Sequence, residues 1–238
     1  MKKYKVLSTK KLDAPLIEQA NENDIEITEE EMISVTPVAS EETLKQVLHW
    51  TERTGVHAVF TSVNAVNAVK NYLHQVEVSK LSWKVFCISG RTKAALQTLV
   101  DEEQILATAA YGKDLAEKII EKQVKEVVFF CGNKRREELP SMLQSAGVIV
   151  NEIMVYETSL TPSVVQNNFD AVLFFSPTAV ESFFSSNVLK EDTVCFAIGA
   201  TTSGSLAKFT SNKIEVSEDT SQESMLASVL SHFNNPVA

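Results

Sequence analysis

Residues 171–183 read AVLFFSPTAVESF, and residues 58–69 read AVFTSVNAVNAV. Each is a short apolar run rich in β-branched and aromatic residues, then a serine, then apolar positions at helical spacing. One chain making the same strand–serine–helix move twice points to an internal repeat. Aligning Ser62 with Ser176 matches Phe60 with Phe174, Ala65 with Ala179 and Val66 with Val180. Downstream, Phe86 matches Phe196, Ile88 matches Ile198, Thr92 matches Thr202 and Leu96 matches Leu206, and Leu115–Ile119 lies over Met225–Val229. Single matches between apolar runs are cheap. Order and spacing kept through three consecutive units are the argument for two similar domains.

Around that repeat, strand patterns fall at residues 4–8, 58–61, 84–88, 126–131, 148–156, 171–175 and 193–198. Helical patterns fall at 12–22, 41–53, 63–74, 92–100, 113–122, 136–145, 178–185, 202–209 and 222–233. Strands alternating with helices of this length imply βαβ units, so the fold class is α/β, with two doubly wound, flavodoxin-like parallel-sheet domains. The second copy begins near residue 161 and has too few units. The N-terminal strand and helix would complete it. The expected partition is 1–33 plus 161–238 as one discontinuous domain and 38–153 as the other. Residues 34–37 and 154–160 would cross between them as a two-stranded linker, with a ligand cleft between the domains.

Bulk composition narrows the function. With 44% hydrophobic and 22% charged residues in 238, the chain is an ordinary globular protein. A formal charge of −9 argues against a general nucleic-acid binder. Cys87, Cys131 and Cys195 lie far apart without CxxC spacing, as buried reduced thiols of a cytoplasmic protein would. MKKYKVLSTKKLDAP has no signal-length apolar segment behind it, and no run approaches a membrane span. Nothing demands more than a monomer.

In an open α/β sheet, ligands bind beyond the carboxyl ends of the strands, where loops enter helix N-termini. Ser62 and Ser176 sit there, and capping alone accounts for a serine at either place. Pro177 suits the first helical position. Residues 88–92 (ISGRT), 198–202 (IGATT) and 131–135 (CGNKR) are further junctions of small residues. Small residues let a ligand approach free backbone N–H groups, and the helix dipole favours negative charge. Such ends suit an anion carrying many carboxylates. Lys134, Arg135 and Arg136 would add positive charge, or form a solvated surface run. GxGxxG, GxxxxGK[ST], HExxH and GxSxG are all missing. His49, His57, His74 and His232 form no pair with metal spacing. A two-lobed anion-binding protein and a flavodoxin-like flavin protein stand as alternatives to an enzyme.

FTSVNAV (60–66), ISGRTKAAL (88–96), CGNKRREELPSML (131–143), VYET (155–158), FFSPTAVESF (174–183) and AIGATTSGSL (197–206) resemble, in that order, the motifs of the uroporphyrinogen-III synthase family. The resemblance runs from about Val6 to the last helix. It implies two α/β domains joined by a two-stranded ladder and a cofactor-free reaction. The linear tetrapyrrole hydroxymethylbilane loses water and closes with ring D inverted, giving uroporphyrinogen III. Family positions implicated in binding or catalysis fall on Ser62, Thr92, Tyr156, Ser176 and Thr202, with Ser89, Gly90, Gly199 and Thr201 beside them. Tyr156 is the candidate for assisting departure of the hydroxyl; the competing role is packing between domains. The family more often has glycine where Ser89 stands, so the turn at Gly90 is expected to shift by one residue.

Overall fold

The structure, a computed structural model, describes residues 3–78, 81–166 and 168–234. The chain forms β1 (Tyr4–Ser8), α1 (Ala14–Glu22) and β2 (Ile25–Glu29), then β3 (Ile33–Pro37). There follow α2 (Glu41–Thr51), β4 (His57–Phe60), α3 (Val63–Gln75), β5 (Lys84–Ile88), α4 (Arg91–Leu96) and β6 (Ile105–Ala109). Next come α5 (Gly112–Glu121), β7 (Glu126–Gly132), α6 (Glu138–Ser145) and the long β8 (Ile149–Leu160). The last stretch is β9 (Ala171–Phe174), α7 (Pro177–Phe184), β10 (Val194–Ala197), α8 (Ala200–Leu206), β11 (Ile214–Val216) and α9 (Gln222–Asn234).

Two compact units result. Val35–Thr158 is the inserted unit, and Met1–Ser34 with Ser159–Ala238 is the split unit. The inserted unit's sheet has the order β3-β8-β7-β4-β5-β6, and its pairs from β4 to β8 are parallel. The split unit's sheet has the order β11-β10-β9-β1-β2, parallel throughout. Read β9, β10, β11, β1, β2 against β4, β5, β6, β7, β8, and the spatial orders are identical. The two units are circular permutations of one sheet. That is why the sequence repeat starts at β4 and β9, and why the leading β1–α1–β2 stands where β7–α6–β8 stands.

Both sheets are covered on both faces, which is what buried parallel strands require. In the inserted unit, Val59, Phe86 and Phe129 face Leu115, Ile119, Leu139 and Leu143 of α5 and α6. Their neighbours Phe60, Val85, Cys87 and Phe130 face Val47, Val66, Val69 and Leu96 of α2, α3 and α4. This alternation along each strand is the period of two a strand imposes. Trp83, wholly buried, stacks on Phe130 at 5.2 Å and donates from Nε1 to the Trp50 carbonyl at 2.9 Å. In the split unit, Val6, Leu173 and Phe196 face α1 and α9. Leu7, Val172, Phe174 and Cys195 face α7 and α8 through Val180, Phe183 and Leu206.

The fold class is the one the sequence led us to expect. Four strands were not expected: β2, β3, β6 and β11. Their sequences, IEITE, ISVTP, ILATA and IEV, are short and polar or only half-buried. They are the outermost strands of the two sheets; charges interrupt the apolar run in IEITE and IEV, and serine, threonine and alanine weaken it in ISVTP and ILATA. All three cysteines are buried free thiols.

Candidate active site

The strand order locates a crevice in each unit. In the inserted unit β4 leads to α3 on one face and β7 leads to α6 on the other. In the split unit β9 leads to α7 and β1 leads to α1, again on opposite faces. The loops leaving two adjacent strands in opposite directions open a gap at their carboxyl ends, the switch point where ligands bind in such sheets.

At the inserted unit's switch point, Ser62 caps α3, its Oγ accepting from the Asn64 N–H at 3.1 Å. Across the gap, β7 ends at Gly132. The β7–β8 register shifts there: Cys131 pairs with Met154 but Gly132 with Tyr156. The Tyr156 ring lies over Gly132 so closely that an added Cβ would come within 2.5 Å of Cε2 and 2.9 Å of Oη. Burial raises the phenol's pKa above its ordinary value, and the Ser62 hydroxyl, its hydrogen-bonding neighbour, pulls it partly back. The phenol is therefore protonated at neutral pH and is a hydrogen-bond donor. Next in the loop, Asn133 Oδ1 accepts from the Thr158 N–H at 2.8 Å, and its Nδ2 donates to the Thr158 carbonyl at 3.2 Å.

At the split unit's switch point, Ser176 caps α7, its Oγ accepting from the Ala179 N–H at 3.0 Å. Opposite it, Thr9 is buried and donates from Oγ1 to the Leu173 carbonyl at 2.8 Å. The Lys10 ammonium lies 5.8 Å from the centre of the Phe175 ring. Thr9 and Lys10 were not among the expected site residues. Only the pairing of β1 with β9 brings them there.

The second pair of junctions leads into α4 and α8. Gly90 precedes α4 with φ +74°, a left-handed conformation that favours glycine, and its carbonyl accepts from the Ala94 N–H at 3.0 Å. Gly199 precedes α8 in extended backbone, and its carbonyl accepts from the Ser203 N–H at 3.0 Å. Thr92 is thus the second residue of α4, whereas its counterpart Thr202 is the third of α8. Both loops hold two residues, but with Thr92 laid on Thr202 the glycine before α4 falls one residue later than the glycine before α8. Ser89 is exposed, bonding to the Ala109 carbonyl through both its N–H (2.8 Å) and its Oγ (3.2 Å). Thr201 is exposed, while the Thr92 and Thr202 side chains are buried.

The basic run divides. Arg135 is held by Glu137 at 2.5 Å and by Glu152, so its charge is neutralised locally. A concavity of about 360 Å³ opens at the amino ends of β4 and β7, lined by Arg53, His57, Lys122 and Lys125 among others. Arg53 there is paired with Glu126 at 2.9 Å and stacked 4.3 Å over Trp50. This is the end of the sheet opposite the switch point, so we place no chemistry in it. Among the described residues, no cluster of three or more His, Cys, Asp or Glu could hold a metal ion.

Comparison with known proteins follows the geometry. The family model described as uroporphyrinogen-III synthase HemD matches residues 14–227. Comparison with curated proteins returns no match. Among solved structures, a mutant uroporphyrinogen III synthase from the extremely thermophilic bacterium Thermus thermophilus superposes with a TM-score of 0.67 at 14% identity, covering 98% of this chain and 99% of the other. The uroporphyrinogen-III synthetase of Helicobacter pylori gives 0.63 at 17% identity, covering 97% and 99%. The wild-type Thermus thermophilus enzyme gives 0.55 at 15%, covering 99% and 100%. At these identities the structural likeness speaks for the fold.

Proposed function

Given that the chain belongs to the uroporphyrinogen-III synthase family, we propose how its own residues carry out that reaction. The enzyme closes hydroxymethylbilane with inversion of ring D and loss of water, giving uroporphyrinogen III for haem biosynthesis. The substrate brings its own reactivity: a pyrrole nitrogen pushes electrons outward and the hydroxyl leaves, creating a conjugated cation. Spontaneous closure gives the uninverted isomer, so the protein must chiefly control geometry. Holding reacting ends at attack distance contributes up to roughly 7–11 kcal/mol in favourable systems.

In this reading the Tyr156 phenol, protonated at neutral pH, donates a hydrogen bond to the departing hydroxyl. A weak acid in a supporting role fits a leaving group already driven out by the pyrrole. Ser62 orients the phenol. The starts of α4, α7 and α8, with Ser89, Gly90, Thr92, Ser176, Gly199, Thr201 and Thr202, take the side-chain carboxylates through backbone N–H groups and hydroxyls. Ring D is then presented for attack through its substituted carbon, by way of a spiro intermediate.

The proposal extends to residues 34–37 and 154–160 as the linker between domains 1–33 plus 161–238 and 38–153. The supporting observation is that β3 and β8 are sheet neighbours and that both run from one unit into the other. It also takes the enzyme to act as a cytoplasmic monomer, with buried thiols suited to a reducing compartment. No helix among the described residues is long and apolar enough to cross a membrane.

One observation carries the mechanism: a half-buried phenol fixed over Gly132 at a switch point. The test supplies freshly generated hydroxymethylbilane to wild type and Tyr156→Phe, oxidises the products and separates the isomers. Wild type should give mostly isomer III, and Tyr156→Phe should turn over about 10- to 100-fold more slowly. Unchanged turnover in the variant rejects the role of Tyr156; only isomer I from wild type would mean a binding protein.

A further inference from the structure

We propose that Gly132 and Asn133 are positioning residues that hold Tyr156 in its working orientation. The inference rests on the role given to Tyr156 above.

Three observations converge. First, a regular ladder would place Val155 opposite Gly132, but the register shift places Tyr156 there. In a regular strand, consecutive side chains point to opposite faces. Here the wholly buried Val155 and the ring of Tyr156 both pack into the same core, on the face lined by Phe60 and Phe130. A bulge is what permits that, and bulges re-aim side chains beside active sites.

Second, Gly132 is not glycine for the sake of its backbone, because its φ is not positive. What excludes a side chain is the phenol ring itself, which would overlap any Cβ. The glycine is the floor on which the ring rests.

Third, the bulge interrupts strand pairing, and the Asn133 side chain restores it. Its amide takes both backbone groups of Thr158, two residues beyond Tyr156. On the near side, the Val155 carbonyl accepts from the Val38 N–H at 3.0 Å. Tyr156 is thereby held between two fixed points, with Gly132 beneath the ring. Misplacing a reacting group by about 1 Å can cost about 10²-fold in rate.

The experiment is a double-mutant cycle on the full chain, assayed with hydroxymethylbilane. Asn133→Ala should lower kcat about tenfold, leave KM within about twofold and raise the share of isomer I. Combined with Tyr156→Phe it should cause no further loss, because Asn133 acts through the phenol. Losses that simply multiply, or a kcat unaffected by Asn133→Ala, would overturn the positioning role while leaving that of Tyr156 standing. Full turnover in Tyr156→Phe alone would instead remove the premise. A second readout is independent of catalysis and of whether Asn133→Ala folds. Gly132→Ala should lower the Tm by several degrees in wild type and by almost nothing in a Tyr156→Ala background. An equal drop in both would overturn the claim that Gly132 makes room for the ring.

Discussion

Ser62 and Ser176 occupy the same corner of two permuted sheets, yet they cap their helices differently. Ser62 Oγ accepts from the second residue of α3, Asn64, and Ser176 Oγ from the third residue of α7, Ala179. Pro177 has no N–H, so the cap in α7 leaves the Thr178 N–H as its uncapped first-turn donor. Only Ser62 also has the phenol of Tyr156 as a neighbour.

Ser62→Ala and Ser176→Ala should therefore look alike in a melt and unlike in kinetics. Each removes one cap, costing about 1 kcal/mol of stability. Ser62→Ala should lower kcat by disturbing the phenol, and Ser176→Ala should raise KM by weakening carboxylate binding. Steady-state assays beside thermal melts check this, and equal kinetic defects would contradict the division of labour.

Gly90 and Gly199 make a second unequal pair. At φ +74°, alanine at position 90 is strained although space is open around it, and Gly90→Ala should cost about 1–2 kcal/mol. Gly199 lies in extended backbone, and an added Cβ would meet only Thr220 Cγ2 at 3.6 Å, an ordinary contact. Gly199→Ala should be neutral or stabilise by about 0.5 kcal/mol through the unfolded chain. A raised KM in Gly199→Ala with an unchanged Tm would then report substrate approach at that loop.

The thiols should be chemically silent in the folded protein. Burial pushes Cys87 and Cys131 up to about 11 and Cys195 up to about 12. The thiolate is the reactive form. A thiol-disulfide reagent at pH 8 should label none of the three natively and all three after denaturation.

The pH profile follows from the sign of the Tyr156 shift. Its folded pKa lies above the ordinary 10, so the donor form is kept at neutral pH and lost only as pH rises through the raised value. kcat should be level below pH 10 and fall beyond it. Because Ser62 lowers that pKa, Ser62→Ala should move the fall to higher pH, and Tyr156→Phe should remove it. Stopped assays across alkaline pH would show both effects.

The central strands were legible in the sequence because β1, β4, β5, β7, β9 and β10 are apolar runs bounded by turn residues. The serine caps were legible too, since strand, serine and helix follow one another directly. Edge strands such as IEITE were not, because their solvent-side residues break the pattern. The crevice contacts were hidden for another reason. Lys10 beside Phe175, and Tyr156 on Gly132, depend on which strands become neighbours. Local periodicity carries no information about neighbour choice. The departure at Ser89 was visible as a residue, and its effect, a helix starting one residue closer to its buried threonine, required the backbone.

The permuted order of the split sheet has a consequence for how the chain emerges from the ribosome. β1 is synthesised before its partner on one side, β9, which arrives only after the whole of the inserted unit, Val6 pairing with Ala171. The inserted unit draws all its strands from a continuous stretch and can condense as soon as that stretch is released. Until the later elements emerge, Val6 lacks α9 and Leu7 lacks α7 and α8, helices that cover these wholly buried residues in the finished protein. Such long-range closure is slow and exposed to aggregation. Pairing of β1 with β9 is therefore a late step in the assembly of the split sheet.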